Sequence, residues 1–179
     1  MSNGDSVERT DTATWPVVCD AGPVIHLDEL DCIDLLHDFP RVILPVTVRR
    51  EIEGHRPAAL RRSGLSWHHA APRGPTSPEL LALAQLLPLH DGEVEALRVA
   101  VEHPRALLLT DDTAARLAAR TLAIPVHGTI GLLVRSIRRK QRSKQAVMTI
   151  LRELPRRSTL HVKPDLLLHV IQTVEQSSS

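Results

Sequence analysis

Alternation of short apolar runs with helix-period segments predicts an α/β fold: a three-layer α/β/α sandwich around a central, mainly parallel sheet of four to five strands. Two further observations support this. Each strand-like run is continuously apolar rather than alternating, as expected where both faces of a parallel sheet are covered. Several runs also end in acidic residues, and sites in such sheets lie beyond the carboxyl ends of the strands.

The elements read in order as follows. WPVVCD (15–20) is a short apolar run bounded by Pro16 and by Ala21-Gly22-Pro23, the length of a buried strand. PVIHLDELDCIDLLHDF then places apolar residues at 24, 27, 30, 33 and 36, a helix period. RVILP (41–45) is a second strand stopped by Pro45, and VTVRREIEG (46–54) is a helix ended near Gly54. Residues 55–78 are rich in Pro, Arg, His and Gly and read as an irregular or partly helical connection. Ser77-Pro78-Glu79 is a helix start. DGEVEALRVAVEH (91–103) is a helix with Asp91 at its expected N-cap. RALLLTDD (105–112) is a third strand, TAARLAARTLA a helix, and IPVHG (124–128) a fourth strand. TIGLLVRSIRRKQ, KQAVMTILRELPRR and PDLLLHVIQTVEQ are helical. The expected organisation is a disordered tail at 1–14, a core domain at 15–140 and a helical extension at 141–176 packed on the same domain.

Composition narrows the function classes. The chain has 179 residues, enough for one domain with a real core, and is 42% hydrophobic. No apolar run approaches the ~18 residues of a membrane span, and the polar, acid-bearing start lacks the form of a signal peptide, so a cytoplasmic location is expected. Two cysteines, Cys19 and Cys32, make no disulfide framework or Cys-x-x-Cys site, and Cys19 reads as a core residue. With Trp15, Trp67 and Phe39 as its only aromatics, the chain lacks a base-stacking platform. Lys plus Arg number 22 against 21 acids, so net charge makes no global argument for nucleic acid. Locally, Arg135, Arg138, Arg139, Lys140, Arg142 and Lys144 cluster, either as a solvated helix face or as a phosphate-tracking or docking patch.

The acids carry the chemistry. Asp20 closes the first strand, and Asp111 and Asp112 close the third. Glu51 lies on the helix after the second strand, and Glu93 and Glu95 open the helix before the third. Carboxylates gathered in one cleft repel one another and some stay protonated unless a cation intervenes. Mg²⁺, or Mn²⁺ with the same oxygen preference, suits such a set: it works with few carboxylates, its own waters and a substrate phosphate. The adjacent pair His68-His69 reads as loop histidine. Glu93 and Glu95 stand roughly 200° apart around a helix and cannot share one inward face. Glu95 has the deeper helical position, while Glu93 suits the helix dipole. Of Asp111 and Asp112, one is expected to serve the site and the other to cap the following helix.

In this order the stretches VVCDAGPVIHLDEL, VILPVTVRREIE, DGEVEALRVA with ALLLTDDTAARLAA, and IPVHGTIGLLVRSIRRK resemble the PIN-domain family over roughly residues 16–140. The Gly-Glu-x-Glu-Ala and Asp-Asp motifs resemble a branch of toxin-like ribonucleases often found beside antitoxin genes. The resemblance implies a divalent-metal-dependent endoribonuclease acting on RNA, with an antitoxin as a partner. It implies catalytic roles for Asp20, Glu51, Glu95 and Asp112, with metal held by Asp20, Asp112, Glu95 and Asp111, and with Glu93 and Asp111 as second choices at their sites. Thr110, Arg116 and Thr129 are the substrate-binding candidates: a hydroxyl for a metal-bound water, a guanidinium for a phosphate, and a helix start for an anion. The bland roles for these three are a β-compatible threonine, a solvated arginine and a helix cap. The sequence departs from the family at Gly22, where many members carry Ser or Thr, and at 55–78, which matches no motif. The competing class is a catalytically inactive PIN-like module binding RNA or protein. A receiver domain is disfavoured because the late strand offers His127 where lysine is wanted, and an Asp-x-Asp phosphatase because Asp20-Ala21-Gly22 lacks the second acid. The apolar helices also leave room for a homodimer.

Overall fold

Val17, Val18 and Cys19 have no exposed surface in the computed structural model, which describes residues 14–177. They form β1 (Val17–Cys19), the middle of a five-stranded sheet. Around it stand β2 (Val42–Pro45), β3 (Trp67–Ala70), β4 (Leu107–Leu109) and β5 (Val126–His127), in the order β3-β2-β1-β4-β5, with every pairing parallel. The three innermost strands are wholly buried, which explains their unbroken apolar sequences. Helices cover both faces, giving the expected α/β/α layering. The expected tail at 1–14 lies, except for Thr14, outside the described residues.

Nine α-helices occur among the described residues: α1 (Ala21–Glu29), α2 (Val46–His55), α3 (Pro57–Arg62), α4 (Pro78–Leu86), α5 (Asp91–Glu102), α6 (Thr113–Thr121), α7 (Thr129–Arg138), α8 (Lys144–Arg157) and α9 (Pro164–Gln176). Among them, α5 packs against β1, β2 and β4 and also against α2, so the start of α5 and the middle of α2 meet above the sheet. α8 packs on α7 and carries α9.

Three sequence expectations are corrected. The 55–78 connection contains α3 and β3. β3 (WHHA) is an edge strand whose two histidines are exposed, so it carries no apolar signal. The helix period over 24–39 does not run through as one helix. α1 closes with Asp31 at φ 54°, with Cys32 N–H donating to Leu27 C=O (2.8 Å) and Asp31 N–H to Asp28 C=O (3.2 Å). This is a Schellman closure, and a 3₁₀ segment, Ile33–Asp38, follows. The apolar spacing persists because Cys32, Ile33, Leu35 and Leu36 still face the core. Finally, His90 rather than Asp91 is the N-cap of α5, because the Glu93 carboxylate reaches back to accept the His90 N–H (2.8 Å).

Candidate metal centre and substrate cleft

Register decides where the acids meet. β1 and β4 align Cys19 with Leu109, so the next residues, Asp20 and Thr110, emerge side by side at the carboxyl end of the sheet. The Thr110 hydroxyl donates to Asp20 Oδ2 (2.8 Å) and accepts the Asp112 N–H (3.2 Å). Asp20 Oδ1 accepts the Ala21 N–H at the start of α1 (2.8 Å), and Asp112 Oδ1 caps α6 through the Ala115 N–H (2.8 Å). Glu51 comes from α2 and Glu93 from the first turn of α5. A cleft of about 320 Å³ is lined by Asp20, Glu51, Glu93, Asp111 and Asp112 together.

The electrostatics of this cleft are unfavourable to its own charges. Burial pushes the Asp20 carboxyl up to about 6, against the hydrogen bonds from Thr110 and Ala21, and the charges of Glu93 and Glu51 raise it further. Burial also raises Glu93, opposed by the His90 N–H, and the neighbouring Asp112 charge adds to the rise. Glu51 and α5 are in close contact: a methyl group on Gly92 would sit 3.2 Å from Glu51 Oε2. Oxygen donors that raise one another's pKa fit a hard divalent cation. Among the described residues no three acids, histidines or cysteines stand close enough to hold an ion by themselves. A cation there would keep waters between itself and some of these oxygens, as Mg²⁺ commonly does.

The sequence-predicted site residues divide. Asp20, Glu51 and Asp112 line the cleft, and so does Glu93. Glu95 does not: its Oε2 accepts the Thr47 N–H (2.6 Å) in the first turn of α2, where the N-cap residue, Pro45, offers no side-chain acceptor. The roughly 200° between the two glutamates therefore sends Glu93 into the cleft and Glu95 onto α2, reversing the expected order.

Asp111 is also committed. Its Oδ1 accepts the Thr129 N–H (2.8 Å), while Oδ2 accepts the Thr129 hydroxyl (2.6 Å) and meets His26 Nδ1 (2.8 Å). One carboxylate thus ties β4 to the starts of α7 and to α1, and both aspartates of the pair cap helices. Gly128 permits this, since a Cβ there would fall 2.6 Å from Asp111 Oδ1. Thr110 and Thr129 are fully buried, with their hydroxyls donating to Asp20 and Asp111. Arg116 is half-buried, donates to Thr110 C=O (3.3 Å) and lines a second, larger groove of about 600 Å³. The helix start at Gly128-Thr129 is filled by Asp111 rather than open to an anion.

Sequence reasoning missed Leu160 and His161, which line both the acid cleft and the second groove. They lie on the α8–α9 linker, where no motif points to a site. Three arginines of the basic segment pair with acids of the 3₁₀ segment, while Arg138, Arg139 and Lys140 are exposed. Arg135 pairs with Asp38 and lies over the Phe39 ring (4.7 Å), Arg139 also reaches Asp38 (3.1 Å), and Arg142 grips Asp34 (2.7 Å). Those pairs hold α7 and its C-terminal turn on the 3₁₀ segment, so these arginines do not form the phosphate-tracking patch.

A family model described as DUF3368, a PIN domain, matches residues 16–176. That span includes α8 and α9, beyond the stretch whose motifs carry the sequence resemblance. No curated protein sequence matches the chain.

Proposed function

The chain belongs to the PIN-domain family, generally a family of nucleases, and from that premise we propose that it is a divalent-metal-dependent endoribonuclease. The observation that carries the reading is the cleft at the carboxyl edge of the sheet, where Asp20, Glu51, Glu93 and Asp112 converge from four separate elements and where burial and neighbouring carboxylates raise Asp20 and Glu93. Asp20 and Asp112 would hold the cation, with Glu51 and Glu93 completing its water shell. The bound ion would supply Lewis-acid stabilisation of the phosphorane-like transition state and lower the pKa of the attacking water.

The chain's own groups do the rest. Thr110 fixes Asp20 and Asp112 in one frame through a single hydroxyl. Glu93 Oε2 is held by the His90 N–H, leaving Oε1 to accept a proton from the attacking water. The water oxygen bonds to phosphorus, one bridging P–O bond breaks, and the leaving alkoxide is protonated from solvent.

Incubation with single-stranded and structured RNA tests the proposal. Cleavage in Mg²⁺ or Mn²⁺, abolished by chelator and by Asp112→Asn, is expected. No cleavage across a broad RNA panel with either metal would overturn it. The second reading, an inactive RNA- or protein-binding module, is favoured by one observation: no three of the acids already stand at ligand distance. It gains if RNA is bound but never cut.

A toxin role with an antitoxin partner rests on the motif resemblance alone. Growth arrest on expression, relieved by a neighbouring gene's product, is its test. A homodimer draws support from exposed Leu81, Leu86, Leu117 and Leu168, and sedimentation decides it. No helix among the described residues is long and apolar enough to cross a membrane, and a cytoplasmic site of action is part of the same proposal.

A further inference from the structure

The acid cleft poses an electrostatic problem for a polyanionic substrate. No lysine or arginine lines it among the described residues. Cationic side chains line instead the adjoining groove of about 600 Å³, which shares Asp111, Leu160 and His161 with the cleft and adds Arg116 and Lys163. Its floor is apolar, from Ile130, Leu166 and Val170. A groove lined by cationic groups and by aliphatic side chains is complementary to one nucleotide: phosphate against the cations of the α8–α9 linker, nucleoside over the aliphatic side chains.

That linker is fixed in place. The Glu29 carboxylate at the end of α1 accepts from the Ser158 hydroxyl (2.8 Å), the Thr159 N–H (2.7 Å) and the Thr159 hydroxyl (3.0 Å). Arg157 adds an ion pair to Asp31 (2.7 Å), and the Leu160 N–H donates to the Ser158 hydroxyl (3.1 Å). The linker is thus stapled to α1 just before His161. By contrast, the His161 ring is exposed and, among the described residues, has no hydrogen-bond partner. Lys163, also exposed, follows two residues later at the start of α9. The staple holds the backbone and leaves both donors free to face a ligand.

We propose that the groove beneath the α8–α9 linker is a nucleotide subsite of the RNA cleft, in which His161 and Lys163 hold the phosphate next to the scissile one and Ile130, Leu166 and Val170 support its nucleoside. This rests on the nuclease reading for the identity of the strand, but not for the existence of the site. Aliphatic support without aromatic stacking or paired base-edge donors makes the subsite tolerant of base identity.

The test separates binding from cleavage. A short fluorescein-labelled single-stranded RNA is titrated into the full chain in EDTA, so that nothing is cut, over a series of salt concentrations. The variants are the His161→Ala/Lys163→Ala pair, Leu166→Glu in the floor, and Arg61→Ala on the distant α3 as a control for charge loss. Removing one phosphate contact should weaken binding by about tenfold for every base sequence and make the log–log salt dependence shallower by about 0.7, the single-strand value. Leu166→Glu, which removes apolar support and adds a charge that repels the strand, should also weaken binding, and Arg61→Ala should leave affinity and slope unchanged. Unchanged affinity and slope in the double variant would overturn the subsite, as would absence of RNA binding by the parent protein. Cleavage in Mg²⁺ is measured alongside. Cleavage by the parent with intact binding in the double variant removes the subsite and keeps the nuclease. Weakened binding in the double variant with no cleavage by the parent keeps the subsite and removes the nuclease.

Discussion

Replacing Asp20 by Asn should stabilise the metal-free protein while removing its activity. Burial and the Glu93 and Glu51 charges raise the Asp20 carboxyl from 3.8 to about 6. Because the folded-state value lies above the unfolded one, ionisation opposes folding. The contribution is absent below about pH 4, grows as pH rises towards 6, and is complete above that. At 1.36 kcal/mol per pKa unit this amounts to about 3 kcal/mol near neutrality. Asn keeps the acceptor for the Ala21 N–H but turns an amide donor towards the Thr110 hydroxyl. That hydroxyl then loses its own acceptor, at a cost of about 1 kcal/mol. The net gain is about 2 kcal/mol, or roughly 4–8 °C in Tm for a chain of this size. Urea or thermal melts of the parent and Asp20→Asn in EDTA, at about pH 4 and about pH 8, measure it; the advantage should be present at the higher pH and vanish at the lower. Adding Mg²⁺ should close the gap by stabilising the parent. An Asp20→Asn protein equally stable to the parent at both pH values would refute the reasoning, since the acids would then not be in electrostatic conflict.

Three further outcomes are expected. Glu93→Gln should lower the cleavage rate by about 100-fold, the scale of a lost general base, whereas Glu95→Ala should leave cleavage largely intact and cost about 1 kcal/mol of stability as a lost helix cap; the reverse pattern in paired rate and melting measurements would restore Glu95 to the site. Gly128→Ala should destabilise by roughly 1–3 kcal/mol through overpacking, because its methyl meets Asp111 Oδ1 at 2.6 Å, and a melt no lower than the parent's would contradict the crowding. The cleavage rate should rise with pH as the raised Asp20 and Glu93 carboxyls ionise, with bound cation moving that limb to lower pH; a pH–rate profile at two metal concentrations checks both statements.

The layout of the fold was legible where burial is symmetrical. VVC, VILP and LLL are apolar without alternation because each lies between two other strands under helices, and only a parallel sheet demands that. WHHA was illegible for the complementary reason: an edge strand with exposed side chains needs no particular sequence. For the candidate site, Asp20 and Asp112 were readable as acids at strand ends and Glu51 as an acid on the helix after β2. The choice between Glu93 and Glu95 was not, because helical depth says nothing about which flank another helix covers, and α2 covers the one bearing Glu95. Nor was the commitment of Asp111 readable, since it depends on α7 beginning beside β4. His161 lies about fifty positions from the nearest acid of the cleft, on a linker fixed by a glutamate at the end of α1.

The stapling of that linker to α1 separates two kinds of change. The acids sit on the sheet edge, the middle of α2 and the first turn of α5, whereas one side of the groove beside them belongs to a short stretch anchored by Glu29 and Asp31. His161 and Lys163, both exposed, can therefore be exchanged or recharged without disturbing the hydrogen bonds that hold Asp20 and Asp112. On the proposed nuclease reading, exchange at those two positions is a way to alter how tightly the groove binds while the acid cleft stays as it is.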